Sequence, residues 1–296
     1  MHPRAIFATA LTSAIVAVFT NMGMPQAHAA TDPVLIGAGD IAKCGSSESE
    51  KTADLMASIS GTVFTAGDNS QDSGTSDEFK DCYDPTWGRF KSRTRPAPGN
   101  HDFGVSGASG YFKYFGSRAG TKGKGYYSYD LGSWHIVALN SNCSSIGGCE
   151  TGSAQEKWLR ADLAASNQPC TAAYWHHPLF TSSSHHAPTT AVRPLFQALY
   201  DHNAEIVMNG HNHVYERFAP QDPKGAAEPS HGIRVFSVGT GGTSHYDFGT
   251  PTANSEVRDN TTFGVLKLTL KPDSYDWQFL PIEGSTFTDS GSSACH

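Results

Sequence analysis

Residues 34–68 read VLIGAGDIAKCGSSESEKTADLMASISGTVFTAGD. Two short apolar runs, Val34 to Gly39 and Thr62 to Ala66, each lead into a Gly-Asp pair, at Asp40 and Asp68. Between them, Glu48 to Ile59 is polar and helix-prone. A strand, a helix and a second strand in that rhythm predict parallel pairing in an α/β core. Ligands of such sheets collect beyond the carboxyl ends of the strands, where both aspartates fall. A single strand-end Gly-Asp is an ordinary turn, so the weight lies in what recurs downstream.

The pattern repeats along the chain. Ser73 to Arg95 has helix and turn character, and Pro96-Ala97-Pro98 then delivers Gly99-Asn100-His101-Asp102. Tyr126 to Ser141 reads as an antiparallel hairpin about Gly132-Ser133. Thr151 to Ala165 is an amphipathic helix with Trp158, Leu159 and Leu163 on its inner face. Thr171 to Trp175 is a buried strand before His176-His177-Pro178, Ala191 to His202 a helix, and Glu205 to Met208 a strand before Gly210-His211. Strands follow at Ile233 to Val238, Phe263 to Leu270 and Tyr275 to Leu280. The expected architecture is two β-sheets packed face to face with helices outside, in one domain over residues 30–296. The loops Ser182 to Thr190 and Gln221 to His231 are expected to form its mobile rims.

Residues 1–29 read as a secretory signal: Arg4, an apolar run from Ala5 to Thr20, and the cleavage pattern Ala27-His28-Ala29. That run is too short for a membrane anchor, and no other stretch approaches spanning length. The expectation is a secreted chain cleaved near Ala29. Six cysteines follow the signal, an even set that fits three disulfides in an oxidising compartment. Cys143 and Cys149 flank a five-residue loop and pair locally on this reading; Cys44–Cys82 and Cys170–Cys295 complete one of fifteen possible sets. A cysteine metal site is the competing reading, but no C-x-x-C spacing occurs. The net charge of −7 is spread without blocks of one sign. This gives neither a nucleic-acid groove nor a polybasic membrane patch.

Five segments stand in order: GDI at 39–41, GDN at 67–69, GNHD at 99–102, HHP at 176–178 and GHNH at 210–213. Carboxylates suit hard cations and can bridge two of them, while imidazoles favour iron, zinc and similar metals. Asp40, Asp68, Asn100, His176, His211 and His213 are therefore the candidate ligands of two adjacent divalent or trivalent ions, drawn from iron, zinc or manganese. Asn100, His177 and His211 are the candidate substrate contacts. His177, His185, His186 and His245 read either as solvated loop histidines or as groups reaching a substrate. Gly239-Thr240-Gly241-Gly242 reads as an anion cradle or as a turn between strands. Tyr215 and Arg217, on one strand face, read as structural.

This ordered set resembles that of the calcineurin-like metallophosphoesterase superfamily, within it the purple-acid-phosphatase-like branch, over roughly residues 34–245. The resemblance implies a four-layer αββα sandwich of two mixed β-sheets flanked by helices. It implies that Asp68 bridges two metals, that Asp40 and His213 complete the first, and that Asn100, His176 and His211 complete the second. His101 matches the family histidine that assists the leaving group without binding metal, held by Asp102 or a backbone carbonyl, and these two are the candidate catalytic residues. The implied activity is hydrolysis of a small phosphate ester by metal-activated water. Phosphodiesters, such as glycerophosphodiesters or phospholipid headgroups, are the alternative substrates, and a secreted non-catalytic binding module is a further reading. Two positions depart from the family pattern. Ala42 stands where a histidine or glycine is usual, and Gln71 where the purple enzymes carry a tyrosine ligand. The first metal position is expected to hold its ion less tightly, or with water, and bound iron is expected to lack the purple colour.

Overall fold

The computed structural model describes residues 31–296 and, before them, residues 1–3, 5, 6, 8 and 10. Arg4, most of the expected signal segment and its cleavage motif lie outside the described residues. Met1–Thr31 and Asp32–His296 form separate units, and the fold belongs to the second.

Two mixed sheets organise that unit. The first has six strands in the order Ser290–Ala294, Ser274–Pro281, Gly264–Leu270, Val34–Ala38, Thr62–Ala66, Thr94–Ala97. Val34–Ala38 runs parallel to Thr62–Ala66, with Leu35 opposite Thr62, and antiparallel to Gly264–Leu270, with Val34 opposite Thr269. The second sheet has seven strands in the order Ser255–Asp259, Tyr215–Phe218, Arg234–Val238, Ile206–Asn209, Cys170–Tyr174, Trp134–Ala138, Tyr127–Leu131. Its four central strands are parallel.

The central strands of the second sheet are apolar on both faces because both faces are covered. Ile136, Ala172, Tyr174, Ile206 and Met208 enter the core shared with the first sheet, where Phe64 meets Tyr174 with ring centroids 5.5 Å apart. Their neighbours Val137, Ala173 and Val207 point the other way, onto Leu159, Leu163, Leu195, Phe196 and Leu199. These last five come from the helices Ala154–Ala165 and Arg193–Asp201. Glu48–Ala57 covers the outside of the first sheet, its Thr52 accepting a 3.0 Å hydrogen bond from Trp87 Nε1. The layering is helix, sheet, sheet, helix, as the sequence indicates.

Three strands escape the sequence pattern. Thr94–Ala97 contains Pro96, which lacks an amide for a ladder and is tolerated because this strand is the sheet's edge. Ser255–Asp259 and Ser290–Ala294 are also edge strands, too polar to show a buried period. The three disulfides are Cys44–Cys82, Cys143–Cys149 and Cys170–Cys295, the pairing set expected. Cys170–Cys295 spans 125 residues and ties the second sheet to the far edge of the first.

His135 clamps the second sheet to a helix. Its Nδ1 lies 2.9 Å from Asp130 on the adjacent strand, and its Nε2 lies 2.9 Å from Asp162 on Ala154–Ala165. Burial disfavours a charge on His135, but Asp162 and Asp130 outweigh it and raise its pKa. A raised folded pKa gives a contribution that is complete below about pH 6.5 and fades as pH rises through the folded value. Replacing His135 by glutamine is expected to cost about 1–3 kcal/mol near pH 6. The stability gap from the parent should narrow towards pH 9 in denaturant titrations, and a gap that stays constant with pH would contradict the clamp.

Candidate metal centre

Six loops at the carboxyl ends of parallel strands converge where the two sheets meet. From the first sheet, Val34–Ala38 leads to Asp40, Thr62–Ala66 to Asp68, and Thr94–Ala97 to Asn100 and His101. From the second, Cys170–Tyr174 leads to His176 and His177, Ile206–Asn209 to His211 and His213, and Arg234–Val238 to the loop carrying Tyr246. Asp40, Asp68 and His211 hold left-handed backbone, with φ of 58°, 48° and 70°. Strain of this kind in non-glycine residues concentrates at functional sites. The glycines before them permit close approach. A Cβ on Gly67 would lie 2.5 Å from the His176 ring, and one on Gly99 would lie 2.1 Å from Asp68 Oδ1.

Asp68 sits at the centre, buried. Its Oδ1 accepts the His101 amide at 2.8 Å, and its Oδ2 lies 3.1 Å from His176 Nε2. His176 donates from Nδ1 to the Ala66 carbonyl at 2.9 Å, which aims the other ring nitrogen at Asp68 and at Asn100 Oδ1, 3.0 Å away. His211 Nδ1 lies 3.2 Å from the same His176 nitrogen. Asp40 accepts the His211 amide at 2.8 Å through Oδ2, while its Oδ1 lies 3.2 Å from His213 Nε2. That Oδ1 is buried with no hydrogen-bond partner. Ser244 Oγ holds the opposite nitrogen of His213 at 2.8 Å.

Asp68, Asn100, His176 and His211 therefore bring carboxylate, amide and imidazole groups together around one small space, a donor set that suits a shared cation. Burial pushes Asp68 upward, yet His176 and then His101 outweigh it and hold its pKa down to about 2. Burial lowers His176, but Asp68 lifts it to about 9. Burial and the surrounding histidines, His176 first, drive His211 far below its usual range, so it stays neutral and able to donate a lone pair. Two carboxylates, an amide oxygen and three imidazoles, with backbone or hydroxyl partners fixing His176 and His213, fit a pair of transition-metal ions.

The other candidates divide. His101 stands at the rim, 36% exposed, with Nδ1 2.6 Å from the Asp72 carbonyl and Nε2 3.9 Å from Asp68. Of the two expected partners, a backbone carbonyl and not Asp102 holds it. Asp102 is fully buried and accepts from the amides of Gly99 (2.8 Å) and Asn69 (3.2 Å) and from the Asn69 side chain (2.9 Å). It fastens the GDN loop to the GNHD loop. Burial and the Asp68 charge push its pKa up to about 7.

His177 sits against His211, ring centroids 4.4 Å apart, and bonds Ser141 Oγ at 2.7 Å; burial and His176 lower its pKa to about 3. His186 stacks on His211 at 4.0 Å, and His185 stacks on Tyr246 at 3.9 Å. Their loop is fastened to the next one through Ser184 N–H to Asp247 O at 2.9 Å and Gly249 N–H to Ser182 O at 2.8 Å. His245 turns away, its ring against Phe263. The glycine cluster is not an open anion cradle: Gly239 and Gly241 donate to the Val214 and Gly39 carbonyls. Tyr215 and Arg217 both bond Asp289 and are structural. Cys170, Glu205 and Cys295 also converge, but both sulfurs are held in a disulfide.

Sequence reasoning missed Ser141, Ser244 and Tyr246. Each comes from a loop without a motif, and only the sheet packing brings them in. Ala42 and Gln71 stand on a two-residue parallel ladder that pairs Ala42 with Ser70 and Lys43 with Gln71. The Gln71 side-chain nitrogen is buried without a hydrogen-bond partner.

Residues 26–215 match the family model for the calcineurin-like phosphoesterases, and the chain belongs to that family. It is 30% identical to purple acid phosphatase 15 of Arabidopsis thaliana over 149 residues, 44% of this chain and 27% of that protein. The matched region thus spans about a quarter of the relative's length. In fold it is similar to the purple acid phosphatase PPD1 from yellow lupin (Lupinus luteus) seeds. That match has a TM-score of 0.68 and 20% identity, and covers 88% of this chain and 53% of that one. It is equally similar in fold to GAP50, the anchor in the inner membrane complex of Plasmodium. There the TM-score is 0.68 at 11% identity, covering 90% of each chain.

A Gly99→Ala chain should fold but bind substantially less metal, although Gly99 supplies no ligand atom. Its new Cβ would lie 2.1 Å from the Asp68 carboxylate and 2.3 Å from the Asp68 backbone nitrogen, so the loop that carries Asp68 must shift. Metal analysis beside circular dichroism checks this, and full metal content in the variant would contradict the placement of Asp68.

Proposed function

We propose that this chain is an exported metal-dependent phosphoric ester hydrolase. On this reading residues 1–29 are removed and residues 30–296 act as one catalytic domain. The observation that carries it is the convergence of Asp40, Asp68, Asn100, His176, His211 and His213 around Asp68, with an exposed histidine at the rim. Asp68 would be shared by two ions, with Asp40 and His213 holding the first and Asn100, His176 and His211 the second. Iron, zinc and manganese all suit this donor set. Ions bound there supply a water of lowered pKa and neutralise charge on the phosphoryl oxygens.

His101 performs the proton work. A carbonyl only accepts, so the bond to Asp72 O fixes the His101 proton on Nδ1 and leaves Nε2 facing the site. The imidazolium form can donate from Nε2 to the departing alkoxide. Its exposure leaves room for varied leaving groups. His177 and His211, packed against each other, and Asn100 contact the phosphoryl group or the water that attacks it. His186 stacks on His211 beside them.

Phosphate monoesters are the reference substrates, small molecules recognised by the site and not by a broad surface field. Phosphodiesters remain the second reading, favoured by the open rim at His101. The binding-module reading draws on Ala42 and Gln71, where two customary ligands are missing.

His101→Ala is expected to keep its metal and lose about 10²–10⁴-fold in turnover. Loss of metal in that variant would reassign His101 as a ligand. The same assay on the parent, with p-nitrophenyl phosphate beside its bis ester, should favour the monoester, and a clear preference for the bis ester would transfer the assignment to diesters. Hydrolysis of neither ester, with less than one bound metal after loading, would leave the binding module.

A further inference from the structure

Tyr246 lies against His213, a candidate ligand of the first metal position, the one for which Ala42 and Gln71 supply no donor of the expected kind. Its ring lies flat on His213, with centroids 4.0 Å apart and planes 11° apart. On its other face lies His185, at 3.9 Å and 23°. The three rings form one stack, with Tyr246 in the middle. The backbone is anchored on both sides: Tyr246 N–H donates to His213 O at 3.3 Å, and its carbonyl accepts from Asn260 Nδ2 at 3.1 Å. The phenol makes no hydrogen bond to another described residue, yet it lies near enough to Asp40 and Asp68 to feel both charges. With no partner among the described residues, this hydroxyl is free to bond a ligand atom in the site.

The stack decides what kind of contact is open to it. The Nε2 lone pair of His213 lies in the imidazole plane and points towards Asp40. Rings in face-to-face contact keep their planes about 3.5–4 Å apart, so the phenol oxygen lies well outside the plane in which His213 binds an ion. Metal–oxygen bonds are about 2.0–2.2 Å long. In this arrangement Tyr246 cannot share a coordination sphere with His213, but it can donate a hydrogen bond to an oxygen that does.

We propose that Tyr246 is the positioning and substrate-orienting residue of the first metal position. It fixes the His213 ring by stacking and presents its O–H to the water or phosphoryl oxygen that fills the place left by the missing donor. It thus takes over at a distance what a coordinating tyrosine would do directly. The inference rests on the phosphoesterase reading of the site.

The test uses the full metal-loaded protein with inorganic phosphate as the probe. Tyr246→Phe keeps the stack and removes the hydroxyl. It should retain the parent's metal content and bind phosphate about tenfold more weakly, the loss of one hydrogen bond. Tyr246→Ala removes the stack as well and should also weaken metal binding. The iron(III)-loaded parent should show no tyrosinate charge-transfer absorption in the visible. Three results overturn the inference. Tyr246→Phe with the parent's phosphate affinity removes the hydroxyl's role. A charge-transfer band that Tyr246→Phe abolishes makes Tyr246 a direct ligand. A parent that holds metal but binds no phosphate fails the functional reading itself, and the inference falls with it.

Discussion

Asp68 and His176 belong to different sheets, and their 3.1 Å contact crosses the seam between them. Taking a carboxylate out of water costs several kcal/mol unless charge and hydrogen bonds replace the solvent. Here the replacement comes from the His101 amide and the His176 imidazole, and a cation held among the converging donors would add to it. Every neighbouring feature serves that compensation. Left-handed backbone at Asp40, Asp68 and His211 turns each chain inward two residues after its strand ends. Gly99 and Gly67 allow the loops to close on one another, and the buried Asp102 fastens two of them. A cluster so arranged is costly without an ion, which ties the stability of the seam to the chemistry of the site.

The two sheets explain why ligands so distant in sequence can meet. Parallel strands place their carboxyl ends at one rim, and stacking the two sheets brings both rims together. The first sheet contributes the acidic half, Asp40 and Asp68 with Asn100. The second contributes the imidazoles of His176, His211 and His213. Helices cover the outer faces and keep this rim free, and the disulfide Cys170–Cys295 joins the sheets far along the chain. The site is therefore a property of the interface between the sheets. Neither sheet alone supplies the whole donor set.

What the sequence makes legible follows from how each feature is encoded. The strands before Asp40, Asp68, His176 and His211 are apolar on both faces, so they read directly as buried runs. The ligands follow them at once and read as motifs. Thr94–Ala97, Ser255–Asp259 and Ser290–Ala294 escape because edge strands need no buried period and can carry proline or serine. The partner of His101 is not legible because it is the main-chain carbonyl of Asp72, while the neighbouring Asp102 bonds Gly99 and Asn69. Tyr246 is silent for another reason. Stacking on an imidazole demands a flat ring at one point in space, and no spacing in the chain records it. His245, adjacent to a glycine-rich turn, drew the attention that its successor merits.

The central claim is that one carboxylate, Asp68, joins two ions at the seam of the sheets. Anomalous diffraction from crystals of the metal-loaded protein tests it most directly. The account predicts two peaks about 3.5–4 Å apart on either side of Asp68, one beside Asp40 and His213, the other beside Asn100, His176 and His211. A single peak, or two that leave Asp68 bound to neither ion, would contradict it.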